Sequence, residues 1–291
     1  MVSMVDDFHV GANGFAQAML WPAIVKILST YLSQLRSVKA LVNISTSVAA
    51  GTFATYVVAD LVLTISSWHM VFYAASAVMG IAAVVWYFGN STLEKHVVPR
   101  EHTKIADVKS IENINKSSPL SFSRLIMVSG LPLAAFAVVL HGMLRDGVTA
   151  WTPTLINAQF DMGTSSAILI TAVVSLISIC GVYLSHLLNM RLVKNEVMTA
   201  AILIGIAVLA FILLAVGGTH NIIVLLLALA MAISVMHGIN TMLISMVPLY
   251  FADIGRAASV TGAMNAFTYL GSDISSYAIG FITLGFGWVL T

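Results

Sequence analysis

Charge is scarce in this chain. Asp, Glu, Lys and Arg make up 9% of its 291 residues, against about 25% in a soluble domain, too few to cover a water-facing surface. Cysteine is nearly missing: Cys180 stands alone, which excludes an intrachain disulfide and hints at no metal cluster. Residues 1–7 lack a basic start followed by an apolar core, so they do not resemble a signal peptide. No His-Glu-x-x-His pair, no glycine-rich loop ending in Gly-Lys-Ser/Thr and no Gly-x-Ser-x-Gly elbow occurs. No basic stretch interleaved with aromatics suggests nucleic acid. An enzyme is not expected, and no cofactor or metal is implied.

What fills the chain is apolar. A hydrophobic share of 59% and a mean hydropathy of +0.97 point to a polytopic membrane protein. Since a helix needs about 20 mainly apolar residues to cross a bilayer, eight spans are predicted, at 13–35, 41–66, 69–88, 129–157, 165–188, 199–216, 221–251 and 257–284. The fold class expected is therefore an all-α membrane protein with about eight transmembrane helices, multi-pass in the cell (plasma or inner) membrane.

The cations orient the spans. Of the 13 lysines and arginines, Arg36, Lys39, Lys95, Arg100, Lys104, Lys109, Lys116, Arg124, Arg191, Lys194 and Arg256 fall on one set of alternate connections. That set is cytoplasmic by the positive-inside rule. Lys26 and Arg145 are left inside spans, and the N-terminus is expected outside. The polar stretch 89–128 reads as a cytoplasmic linker between a three-helix part, 1–88, and a five-helix part, 129–291, with a short interfacial helix at 120–127.

Arg145 lies in His141-Gly142-Met143-Leu144-Arg145-Asp146-Gly147-Val148, inside the fourth span. At 1.5 Å per residue it stands roughly 24 Å along a helix from the span's start, in the middle or far half of the membrane. A charge at such depth costs a few kcal/mol and faces a protein interior or a watery cavity. A guanidinium presents a rigid fork of donors suited to carboxylate or phosphate. Arg145 is thus a candidate anion-binding group; the alternatives are a structural pair with Asp146 or another acid, or snorkelling to an interface.

Other polar residues are weighed in the same way. Asp273 is a candidate proton-coupling carboxylate, a candidate partner of Arg145, or a bystander in a wet vestibule. Asn43 and Thr46, one turn apart, and Asn265 and Tyr269, at i and i+4, could line a cavity. Thr46, Ala50 and Ala54 form a small-residue stripe suited to helix packing. His141 and His237 read first as helix–helix hydrogen-bonding groups. Lys26 is explained by snorkelling, with gating as its most ambitious role.

Three blocks resemble the major facilitator superfamily and, within it, the organophosphate:phosphate antiporter group of glycerol-3-phosphate-transporter-like proteins. Asn13-Gly14-Phe15-Ala16-Gln17-Ala18-Met19-Leu20-Trp21-Pro22, with Lys26 in place of an arginine, resembles that group's fourth helix. Leu144-Arg145-Asp146-Gly147 and Trp151-Thr152-Pro153-Thr154 resemble its seventh. Gly262 to Gly271 and then Gly285-Phe286-Gly287-Trp288 resemble the eleventh and its exit. The resemblance implies a partial bundle covering helices four to eleven, a central cavity and alternating access.

It also implies a small anionic organic solute, such as a sugar phosphate, bound by Arg145 with Asn43, Thr46, Asn265 and Tyr269 around it. Phosphate or a proton would be the coupling ion. Two positions depart from the group: its fifth-helix histidine is Thr46, and a tyrosine one turn before its arginine is Gly142. A transporter-like sensor that binds without flux, and an inactive truncated paralogue, are the alternative expectations.

Overall fold

The structure, a computed structural model, describes residues 10–96, 131–218, 220–252 and 255–286. These residues contain helices and turns and no strand. The helices are α1 (Val10–Tyr31), α2 (Gln34–Ile65), α3 (Trp68–His96), α4 (Leu131–Phe160), α5 (Thr164–Ile177), α6 (Ile179–Leu188), α7 (Glu196–Gly217), α8 (Ile222–Asn240) and α9 (Ala257–Phe286). A π-helical turn, Asn189–Val193, extends α6, while Thr241–Met246 (π) and Val247–Phe251 (3₁₀) extend α8. Six membrane-crossing lengths meet the test of length and apolarity, with α5–α6 and α8 with its extensions each counting as one. α1 and α9, of 22 and 30 residues, fall outside that test.

Local chemistry explains the breaks. Asn195 and Asn221 cap α7 and α8: Asn195 Oδ1 accepts from the Met198 amide at 2.9 Å, and Asn221 Oδ1 from the Ile223 amide at 2.8 Å. Pro248 cannot donate to the carbonyl four residues back, and the segment before it widens into the π-turn.

The predicted spans recur as helices, but several limits move. α2 begins at Gln34, not 41, so Arg36 and Lys39 belong to its first turns; α3 runs on to His96, so 89–96 is helix and not tether. Polar residues can continue a helix past the apolar window because at the membrane surface their side chains are solvated. The remainder of the expected linker, with its interfacial helix at 120–127, lies outside the described residues.

α8 sits at the centre, packed by α4, α5, α6 and α7. α9 lies along α4 and also contacts α1, and α2 leans on α5 and α6. α3 touches α2 and is exposed almost throughout. One apolar cluster gathers Val138, Leu203, Ile239, Met242 and Met264 at one end of the bundle. A second gathers Ile156, Val174, Leu225 and Leu229 at the other. The polar site lies between them.

Two glycines set the α4–α9 crossing. A Cβ on Gly142 would stand 2.0 Å from the Thr268 carbonyl oxygen, and one on Gly271 would stand 2.0 Å from that of Val139. Backbone meets backbone there, which explains the missing tyrosine before Arg145: a side chain at 142 has no room.

On α2 the expected stripe is wrong. Ala50 and Ala54 are exposed, and the buried positions are Ser37, Leu41, Val42, Ser45, Ala49 and Asp60. Small size alone does not define which arc of a helix is covered; the neighbouring α5 and α6 decide it.

Candidate functional site

Arg145 stands mid-way along α4 with its guanidinium engaged on two sides. Nε donates to Asp146 Oδ1 at 2.6 Å and Nη2 to Asp146 Oδ2 at 2.7 Å. Nη1 donates across to Asn240 Oδ1 on α8 at 2.6 Å. The bidentate fork–carboxylate contact is the strongest form of such a pair, and its zero net charge makes the depth tolerable. The Arg145 side chain is 13% exposed and that of Asp146 30%, so the carboxylate side borders open space while the guanidinium is largely enclosed.

Polar groups reach the surroundings from α2, α4, α8 and α9. Thr149 Oγ1 donates to the Arg145 carbonyl at 2.7 Å, and the Tyr56 hydroxyl on α2 donates to the Thr149 carbonyl at 2.9 Å. From α9, Tyr269 lies within electrostatic reach of Arg145, and Ser272 faces Asp146. His141, one turn before Arg145, is 3% exposed. Neither of its ring nitrogens has a hydrogen-bond partner among the described residues, although Asn240 approaches it. His237 Nδ1 contacts the Ile233 carbonyl oxygen at 3.0 Å within α8. Neither histidine therefore ties one helix to another through a hydrogen bond of normal geometry, as was expected of them. No group of three or more His, Cys, Asp or Glu suited to a metal occurs among the described residues.

The structure thus brings together only part of the predicted set. Arg145 and Tyr269 are neighbours, and Asn265 is buried one turn from Tyr269. Asp146, and not Asp273, neutralises Arg145; Asp273 is exposed on α9. Asn43 and Thr46 lie roughly 20 and 15 Å along α2 from Tyr56, the residue that reaches α4. Asn43 is exposed and accepts from the Tyr183 hydroxyl at 3.4 Å, while Thr46 Oγ1 turns back to the Asn43 carbonyl at 2.7 Å. Lys26 is exposed on α1.

Four contributors escaped sequence reasoning: Asn240, Tyr56, Thr149 and Ser272. Asn240 had a signal, since it follows His237 by one turn in a very apolar span, and the two make a polar face. Tyr56 had none, because a lone tyrosine in a span reads equally well as a membrane-interface residue.

No curated protein and no solved structure matches the chain. The sequence profile of the Major Facilitator Superfamily, by contrast, matches residues 10–276, a stretch that takes in every helix that meets at Arg145. That match spans most of the chain, and with it the chain belongs to the Major Facilitator Superfamily of secondary transporters.

Proposed function

We propose that the solute is a small organic anion, with sugar phosphates and other organophosphates as the class nominated by the sequence resemblance, and that Arg145 binds it by exchange with Asp146. The observation that carries this reading is the bidentate Arg145–Asp146 contact. The fork is aligned for two oxygens of one acid, and an incoming carboxylate or phosphate offers the same pair. Asn240 holds the guanidinium from behind while the exchange takes place. Asp146, the more exposed member, turns aside toward Ser272.

Antiport follows naturally from such a site. Inorganic phosphate fits the same fork, so one anion replaces another and Arg145 is never left unpaired in a medium where a bare charge is costly. Asp273 is kept as the proton-coupling candidate and Lys26 as the gating candidate. Asn265 and Tyr269 line the solute's path from α9, while Asn43 and Thr46 serve farther along α2.

Reconstitution tests it. Proteoliposomes loaded with phosphate should take up glycerol 3-phosphate and not glycerol. Binding of the phosphate ester without flux would favour a sensor, and indifference to both phosphate and organic anions would end the anionic reading.

A further inference from the structure

Two buried imidazoles beside the Arg145 pair take no part in anion exchange. His141 precedes Arg145 by one turn on α4, and His237 precedes Asn240 by one turn on α8. They are 3% and 8% exposed. Each ring lies within electrostatic reach of Arg145 and Asp146, and His141 also of His237 and Asn240. These side chains form one cluster across the α4–α8 contact, which the Arg145–Asn240 bond closes.

Chemistry fixes what one of the rings offers. His237 Nδ1 stands 3.0 Å from the Ile233 carbonyl oxygen. A carbonyl only accepts, so Nδ1 carries the proton and, in the neutral ring, Nε2 is a bare acceptor. That Nε2 is buried and has no hydrogen-bond partner among the described residues. A neutral His141 adds one donor and one acceptor, and both of its nitrogens are likewise buried and unpartnered among the described residues. Even with Asn240 turned onto one of them, the other and His237 Nε2 stay open. Buried polar atoms are nearly always hydrogen-bonded, so these nitrogens, gathered at one helix contact, call for a guest.

The guest's chemistry is restricted. A carboxylate or a fully ionised phosphate only accepts and cannot satisfy His237 Nε2. An ammonium group donates but would stand close to Arg145, where like charges repel. A hydroxyl is uncharged, and it both donates and accepts, so it suits both rings. His141 lies about 6 Å along α4 from Arg145, a distance that a short hydroxylated tail covers.

We propose that His141 and His237 bind hydroxyl groups on the tail of the solute whose anionic end Arg145 holds, so that the site takes hydroxylated phosphate esters in preference to alkyl ones. This rests on anion binding at Arg145 and adds the chemistry of the tail to it.

Proteoliposomes of the full chain, loaded with labelled phosphate, are offered glycerol 3-phosphate or propyl phosphate, which has the same carbons and no hydroxyl. Wild type should reach half-saturation with glycerol 3-phosphate at a concentration at least about tenfold lower, the worth of one buried hydrogen bond. The ratio of the two esters is read, and not either rate, because a merely structural loss lowers both alike. His141→Phe and His237→Phe should shrink that ratio; His237→Gln, whose amide oxygen still accepts, should keep more of it than His237→Phe.

Exchange of both esters alike by wild type would overturn this proposal alone and leave the nitrogens to internal water. A ratio that survives in both phenylalanine variants would overturn it too. Should those variants use neither ester, magnetic resonance of the histidine ring nitrogens in wild type decides. Signals that move with glycerol 3-phosphate and not with propyl phosphate support the contact, and any other pattern overturns it. No exchange of phosphate for either ester in wild type would remove the anionic reading of Arg145 and this proposal together.

Discussion

The Tyr56 hydroxyl of α2 donates to the Thr149 carbonyl of α4 at 2.9 Å, a contact between residues 93 apart in sequence. Thr149 in turn donates its own hydroxyl to the carbonyl of Arg145, so the tie between α2 and α4 lands one turn from Arg145. Tyr56→Phe deletes only the donor. A stability loss of about 1 kcal/mol is expected, read as a lowered Tm in detergent; an unchanged Tm would mean that the bond contributes nothing to holding α2 on α4.

Asp146→Asn removes one charge of the buried pair and leaves the guanidinium seeking an anion. The variant should lose about 2 kcal/mol of stability, tempered by the partial exposure of the carboxylate. Inorganic phosphate should then raise its Tm more than that of the wild type, because a ligand that binds the folded state stabilises it. Equal phosphate shifts in both proteins would count against exchange at this fork.

Arg145→Lys keeps the charge and abandons the fork. Lysine is a point donor and cannot hold two oxygens and Asn240 in one plane. Loss of one charge-assisted bond corresponds to about tenfold in affinity, so phosphate-ester uptake should fall by at least about that factor. Wild-type uptake kinetics in the variant would remove Arg145 from the site.

Gly142→Ala and Gly271→Ala insert a methyl group against a backbone oxygen that has no rotamer to move. Each should cost about 1–3 kcal/mol and disturb Arg145 through the α4–α9 crossing. Gly205→Ala is the contrast, since nothing lies within 4 Å of its would-be Cβ; it should be neutral, or stabilising by up to about 1 kcal/mol. Comparative thermal unfolding of the three decides whether the crossing is as tight as the geometry says.

Much of the architecture was legible because lipid imposes a simple rule: backbone groups must be satisfied within the segment, so apolar runs become helices. Residues 199–216 and 221–251 read off almost unchanged as α7 and as α8 with its extensions. The limits of α2 and α3 did not, since apolarity ends where the bilayer ends and a helix need not. Arg145 was legible as a residue needing compensation because an intramembrane charge demands a partner.

The partner itself was harder. Adjacent residues on a helix point about 100° apart and do not ordinarily face each other, so sequence could offer Asp146 only as one candidate beside Asp273. Asn240 lies 95 positions from Arg145; the polar face it shares with His237 is visible in the sequence, but nothing local names Arg145 as its partner.

The amino-acid order alone determined that this chain lives in a membrane as a helical bundle and that one deep arginine must be compensated. Periodicity and hydropathy are local properties, and they suffice for that. Which carboxylate compensates it, which small residues are crossing points and which polar residues stand far from the site were decided by how α4, α8 and α9 pack. Those facts depend on distances between segments far apart in the chain, and only the folded arrangement sets them.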